Sequence, residues 1–194
     1  AWIIDLVEQG LSQTTVNRKL ATLRSFYKFL MRSKIIQKDP TYKLKSLKSP
    51  KKLPEFLQET TIESVLEEEV YAPTFEGQRD RMVLEFLYLT GVRLSELTSL
   101  KWKDIHLYEE QVKVLGKRQK ERIIPLTKSL QRNITNYKQV VEAQFNRVEG
   151  EDYFIRSSKG EKAYPMLIYR IVKYYLDLFA QNSKRSPHLL RHTF

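Results

Sequence analysis

Between residues 104 and 126 the hydrophobic period of the chain changes from helical to strand-like. Ile105 and Leu107, then Val112 and Val114, then Ile123, Ile124 and Leu126 recur at or near alternate positions. Two polar turns separate them, Tyr108-Glu109-Glu110 and Gly116-Lys117-Arg118-Gln119-Lys120. Short apolar alternations joined by short polar turns predict a three-stranded antiparallel meander. Apolar residues elsewhere mostly recur every three to four positions, the spacing of a helix face. The pattern therefore predicts a mainly α protein carrying one small three-stranded antiparallel sheet.

The helical segments fall into two groups. Residues 1–9 read as part of a helix with Trp2, Leu6 and Val7 on its buried side; it starts without a cap, so its domain is expected to begin upstream of Ala1. Leu11-Ser12-Gln13-Thr14 reads as the start of a second helix, whose apolar face is Val16, Leu20, Leu23, Tyr27 and Leu30. Its other side carries Asn17, Arg18, Thr22, Arg24, Ser25 and Lys28, a mixture of cations and short hydrogen-bonding groups suited to phosphates and base edges. A solvated face of a helical bundle has the same composition. Residues 43–54 are basic, proline-marked and aperiodic, as expected of an extended linker that can also lie along a phosphate backbone. The predicted organisation is a partial N-terminal helical domain at 1–47, a linker at 48–54 containing Lys51 and Lys52, and a second domain at 55–194.

In that second domain, residues 59–69 predict an acidic helix capped by Thr60 or Thr61. Residues 77–90 predict a buried helix carrying Met82, Val83, Leu84, Phe86, Leu87 and Leu89. After the meander, residues 127–147 return to helix, Tyr153-Phe154-Ile155 is a short extended piece, and residues 166–181 predict a helix with an aromatic-rich core face. Ser186 reads as the cap of a last helix with Pro187 at its first position, where the missing N–H costs nothing.

Charge is distributed unevenly. Of the formal +11, +9 lies in residues 1–54 and +2 in residues 55–194. Such a field favours a polyanion, whose condensed counterions are released as Lys and Arg approach phosphates. The chain has no Cys, which excludes a disulfide scaffold and a thiolate zinc site. It shows neither a signal-like start nor an apolar run long enough to span a bilayer, so a soluble cytoplasmic protein without a membrane partner is expected.

Three separated segments offer cations for phosphate chemistry. His188 and Arg191 stand three apart on one predicted helix and point the same way, within reach of one anion. A surface capping pair is the alternative there. A metal site using His188 and His192 would need a third ligand, and His106 is the only other histidine. Arg93 follows Gly91 at a sharp turn into a helix, where Glu96 lies one turn away and can orient the guanidinium; a purely structural Arg-Glu pair reads the same. Lys117 marks the tip of the meander with Arg118 and Lys120 beside it, a position that can enter a groove or simply solubilise the turn.

In order and character these motifs resemble the tyrosine recombinase (phage integrase) family, its Xer-like bacterial members in particular. Gly91-Val92-Arg93-Leu94-Ser95-Glu96-Leu97 is similar to the family's first-arginine motif. Val114-Leu115-Gly116-Lys117 with Lys120-Glu121-Arg122-Ile123-Ile124-Pro125-Leu126 resembles its hairpin lysine, and Ser186-Pro187-His188-Leu189-Leu190-Arg191-His192-Thr193-Phe194 its His-x-x-Arg box. Residues 14–30 resemble the DNA-contacting helix of its SAM-like core-binding domain.

The resemblance implies site-specific recombination or integration: strand cleavage by a tyrosine through a 3′-phosphotyrosyl intermediate, without metal or nucleotide cofactor. It implies Arg93 and Arg191 on the scissile phosphate, Lys117 as proton donor to the departing 5′ oxygen, His188 assisting, and Glu96 supporting Arg93. It further implies DNA contacts from Asn17, Arg18, Arg24, Lys28, Lys51, Lys52, Arg118 and Lys120. Duplex DNA is the implied partner, in a homotetramer or with a second recombinase, on the bacterial nucleoid. The family places its nucleophilic tyrosine after the position of Phe194, and no tyrosine of this chain takes that role. Tyr174 and Tyr175 are expected to pack in their helix. The chain is thus expected to be truncated at both ends, binding DNA without cleaving it. Alternatives sharing part of the pattern are a noncatalytic DNA-binding protein on the same fold, a type IB topoisomerase, and a helical protein-binding domain.

Overall fold

The structure, a computed structural model, describes residues 2–48, 57–116, 120–179, 186, 187, 189 and 190. Lys51, Lys52, Lys117, Arg118, His188 and Arg191 lie outside the described residues, as does most of the expected linker. The chain divides into two compact units, Ala1–Leu53 and Pro54–Phe194.

The first unit is built on two helices, α1 (Trp2–Glu8) and α2 (Gln13–Arg32). Gly10 turns the chain between them with φ +78°, a conformation glycine adopts at little cost. The helix starts within the expected segment, where Ser12 Oγ accepts from Thr15 N at 3.3 Å, satisfying one of the orphan donors at the start of α2. Val16 and Leu20 are fully buried and Leu23, Tyr27 and Leu30 half-buried, the face the 3.6-residue period specifies. Helix α1 departs from expectation. Trp2 and Val7 are exposed, and only Ile3 and Leu6 are half-buried. A seven-residue helix lying along α2 covers one narrow stripe, and Trp2 and Val7 fall outside it.

The second unit contains α3 (Glu59–Leu66), α4 (Phe75–Thr90), α5 (Leu94–Ser99), the strands β1 (Ile105–His106), β2 (Gln111–Leu115) and β3 (Glu121–Pro125), then α6 (Lys128–Phe145) and α7 (Pro165–Phe179). Helix α4 is its axis, packed by α3, α6 and α7. Met82, Val83, Leu84, Phe86 and Leu87 are buried in sequence, as an apolar helix enclosed on all sides must be, and Leu89 is half-buried. Around Phe154 gather Phe86, Trp102 and Tyr137, with Trp102 and Phe154 edge-to-face at 4.9 Å. Burial of side chains this size contributes about 2–3 kcal/mol each, and each ring pair roughly 0.5–1.5 kcal/mol more.

Several local expectations change. Helix α3 starts at Glu59 with Gln58 as cap residue and no side-chain cap bond, so Thr60 and Thr61 lie inside it; it ends at Leu66, before a 3₁₀ turn at Glu68–Val70. Helix α4 starts two residues early because Thr74 Oγ1 accepts from Gly77 N at 3.2 Å. On α7 the core face is mainly aliphatic: Ile168, Ile171, Val172 and Leu176 are buried with Tyr175, while Tyr169 and Tyr174 are exposed.

The sheet is antiparallel in the order β1-β2-β3, the meander expected. Val112 faces Ile105 on one side and Ile124 on the other, and Val114 faces Arg122. The buried face of β3 is thus Arg122 and Ile124, whereas Ile123 points to solvent. In the C-terminal segment Leu189 N donates to Ser186 O at 2.9 Å, and Pro187, Leu189 and Leu190 are buried. Among the described residues no helix is long and apolar enough to cross a membrane.

Candidate functional site

The Arg93 motif is fixed at the junction of α4 and α5. Gly91 ends α4 in the left-handed region at φ 57°, with its N–H on Leu87 O, and the chain re-enters a helix at Leu94. Arg93 sits at the cap position. Its backbone N–H donates to Glu96 Oε2 at 2.7 Å and its Nη1 to Glu96 Oε1 at 2.8 Å, so one carboxylate holds both the main chain and the side chain of Arg93.

A second cation reaches the same carboxylate. Arg122 Nη1 and Nη2 donate to Glu96 Oε1 and Oε2, each at 2.7 Å, the two-pronged geometry that favours Arg over Lys. Glu96 is 4% exposed. Burial alone would push its carboxyl up, but the hydrogen bonds from Arg122 and from the backbone and side chain of Arg93 outweigh it and hold the group at about 2. The anion is therefore permanent at neutral pH, and two guanidiniums around one carboxylate leave one net positive charge. The Arg93 side chain is 47% exposed, open to an incoming anion.

The mouth of the β2–β3 hairpin adjoins this cluster. Gly116 N donates to Lys120 O at 2.8 Å, closing the mouth of the β2–β3 turn. A Cβ at Gly116 would stand 3.6 Å from both Arg122 Nη1 and Glu96 Oε1. The residue before Lys117 therefore lies against the carboxylate that holds Arg93. The cleft beside it is lined by Glu96, Ser99, Lys103, Lys113, Leu115 and Glu121.

Of the expected site residues, Arg93 and Glu96 are in direct contact, and Lys120 is exposed at the mouth of the hairpin. The positions of Lys117, Arg118, His188 and Arg191 are outside the described residues, though the Leu189 and Leu190 side chains that flank the last two are anchored in the core. In the first unit Arg18 and Lys28 are exposed, while Asn17 and Arg24 hold the segment at 44–47. Arg122 was not singled out from the sequence. Its signal was the strand period, which sets it on the inward face with Val114 and Ile124.

The tyrosines sort by burial. Tyr71 donates to Val65 O at 2.5 Å and its ring lies 4.6 Å from that of Tyr175. Burial raises the Tyr71 and Tyr137 hydroxyls strongly and pushes Tyr175 to about 12, so these three are packed, protonated groups. Tyr175 packs as expected; Tyr174 instead stands 60% exposed on the outer side of α7.

The Phage integrase family profile matches residues 55–194, and that of the phage integrase N-terminal SAM-like domain matches residues 1–34. The chain is similar to the tyrosine recombinase XerC of Chlorobaculum tepidum, 34% identical over 98% of this chain and 62% of the relative. It is 33% identical to the tyrosine recombinase XerD of Proteus mirabilis, over the whole of this chain and 62% of that protein. It thus spans about 62% of the length of these curated relatives. Its fold is that of the XerH site-specific recombinase solved bound to difH substrate, with a TM-score of 0.73 at 22% identity over 97% of this chain and 56% of the other. With its second unit matched from residue 55 to the last residue, the chain belongs to the phage integrase family.

Proposed function

We propose that the whole protein is a site-specific DNA recombinase that cleaves and rejoins duplex DNA through a 3′-phosphotyrosyl intermediate, and that this chain supplies its phosphate-handling residues. The observation that carries the reading is the Glu96 cluster. A buried anion fixes Arg93 at a helix start, leaves half its surface open, and stands against Gly116, the residue before Lys117 in sequence. Family membership supports a DNA phosphodiester as the substrate class.

In this reading a tyrosine oxygen of the whole protein, outside these 194 residues, attacks the phosphorus. The bond to the 5′ oxygen breaks as the new ester forms, and Lys117 protonates the departing oxygen. Arg93 and Arg191 stabilise charge on the nonbridging oxygens, His188 assists proton transfer or holds the phosphate, and Glu96 keeps Arg93 aimed. Rejoining reverses the step with a 5′ hydroxyl as nucleophile. The bond energy stays in the ester, so no nucleotide is consumed. Arg18, Lys28, Lys51, Lys52, Arg118 and Lys120 make up the DNA-facing set, with Asn17 and Arg24 holding the segment at 44–47, in a homotetramer or with a second recombinase, in the bacterial cytoplasm on the nucleoid.

The test is a nicked suicide duplex presented to the whole protein. A covalent protein–DNA adduct is expected, lost in Arg93→Ala and in Arg191→Ala. Salt-dependent binding with no adduct from any form would replace this reading with a noncatalytic DNA-binding protein on the same fold.

A further inference from the structure

Two side chains of α2 that the sequence assigns to DNA are occupied by the chain itself. The Asn17 carboxamide pairs with one residue twice: Nδ2 donates to Leu47 O and Oδ1 accepts from Leu47 N, both at 2.8 Å. One α2 face and two turns further on, Arg24 Nη1 donates to Ser46 Oγ at 3.3 Å and Nη2 donates to Leu44 O. Seven residues of helix rise about 10 Å, and three residues of extended chain cover about the same distance. A segment at 44–47 therefore fits between the two grips.

The entry to that segment is also fixed. Asp39 Oδ1 accepts from Thr41 N at 2.7 Å and from Thr41 Oγ1 at 2.6 Å, and Leu44 N donates to Thr41 O at 3.0 Å, turning the chain back along α2. Residues 44–48 have no helix or strand of their own. Leu44 and Leu47 are half-buried, while Lys43, Lys45 and Lys48 are exposed, as are Arg18 and Lys28 of α2. Both grips end on neutral groups, the backbone N–H and carbonyl of Leu47 for Asn17 and a carbonyl and a hydroxyl for Arg24, so these bonds do not cancel the Arg24 charge.

We infer that Asn17 and Arg24 are positioning residues that dock residues 44–48 on α2, so that Lys43, Lys45 and Lys48 meet the phosphate backbone of duplex DNA as a preformed surface. The inference rests on the DNA-binding reading above. An undocked lysine segment would have to be ordered at the moment of binding; the clamp makes that ordering part of folding.

A neutral residue gives the sharpest test. Each lysine at a phosphate adds about 0.9 to the slope of log affinity against log salt. Asn17→Ala removes no charge, yet as a clamp residue it is expected to lower that slope by about 2.7, the share of three lysines, on a labelled mixed-sequence duplex. A variant with Lys43, Lys45 and Lys48 all changed to Ala should lose as much, with Asn17→Ala adding nothing in that background. An Asn17→Ala protein of unchanged slope, or losses that add in the combined variant, would make Asn17 a direct contact and overturn the inference. Limited trypsin digestion without DNA reads the clamp alone. Cleavage after Lys45 and Lys48 should be slow in the parent chain and several-fold faster in Asn17→Ala and Arg24→Lys, and equal rates overturn the clamp. Slow cleavage in a parent chain that shows no salt-dependent affinity for the duplex would leave the clamp standing and remove its DNA role.

Discussion

Arg122 and Glu96, 26 positions apart in sequence, are joined by two hydrogen bonds of 2.7 Å. Through this pair the third strand of the sheet is tied to the first turn of α5, and the hairpin mouth to the carboxylate that orients Arg93. A carboxylate with Arg93 as its only partner would hold one cation locally; with Arg122 added, it fixes the relation between two segments.

Arg122→Lys keeps the charge but replaces a planar fork with a point donor. The expected outcome is a DNA affinity close to that of the parent chain together with a fall in adduct formation by the whole protein on the order of tenfold, about 1.4 kcal/mol. Single-turnover cleavage set beside equilibrium binding separates the two. An equal loss in both would mean that Arg122 contacts DNA rather than positioning the site.

Gly77 supports the core and not the site. A Cβ there would overlap the Ala72 carbonyl oxygen and lie 2.8 Å from Ala72 N, backbone atoms that no rotamer change can move. Gly77→Ala is expected to destabilise the second unit by about 2–4 kcal/mol, against roughly 1 kcal/mol of gain for the same change in an unobstructed helix. Urea unfolding measures it, and a stabilised variant would show that the loop at Ala72 yields.

Much of this arrangement was legible from residue chemistry alone. Ser12 caps α2, Gly91 closes α4, and the meander lies where the period changed, because each is set by a local preference. Long-range partners were not legible. Asn17 and Arg24 read as ligand-facing polar groups, yet bond to residues 44–47, and no spacing within α2 encodes a segment that returns some twenty to thirty residues later. Ile123 and Ile124 are both apolar, so composition did not choose between them. The register opposite Val112 and Val114 did, turning Ile124 and Arg122 inward. Thr60 and Thr61 are good caps in isolation, but the chain entered α3 a residue earlier.

Arg93 carries the sharpest kinetic expectation. Its guanidinium is held by Glu96 with half its surface open; in the proposed function it stabilises charge that grows during phosphoryl transfer, so its removal is expected to slow cleavage more than it weakens binding. Arg93→Ala should reduce the single-turnover cleavage rate of the whole protein by about 10²–10³, near 3 kcal/mol, by comparison with the loss of one oxyanion donor. Glu96→Gln should show a smaller loss of the same kind, because it keeps the shape of the anchor and removes its charge. A larger loss for Glu96→Gln than for Arg93→Ala would place the chemistry elsewhere.

Acid unfolding isolates Glu96 by its sign. The folded carboxyl titrates at about 2 and the unfolded one near 4.5, so in this interval the unfolded chain binds more protons and stability rises with pH. The contribution is complete above about 4.5 and is lost as pH falls toward about 2. Glu151 is held at about 2 as well, by hydrogen bonds from Lys101 and Lys103, but on the surface. Salt distinguishes them: at about 0.5 M the screening length is only a few ångströms, which weakens the exposed Glu151 cluster while the buried, two-pronged Glu96 pair persists. Urea midpoints at pH 6 and pH 3 should therefore differ less in Glu96→Gln than in the parent chain at both low and high salt. Glu151→Gln should narrow the difference at low salt alone. A Glu96→Gln protein that keeps the full acid dependence at high salt would show that the carboxylate is not held by the two arginines in solution.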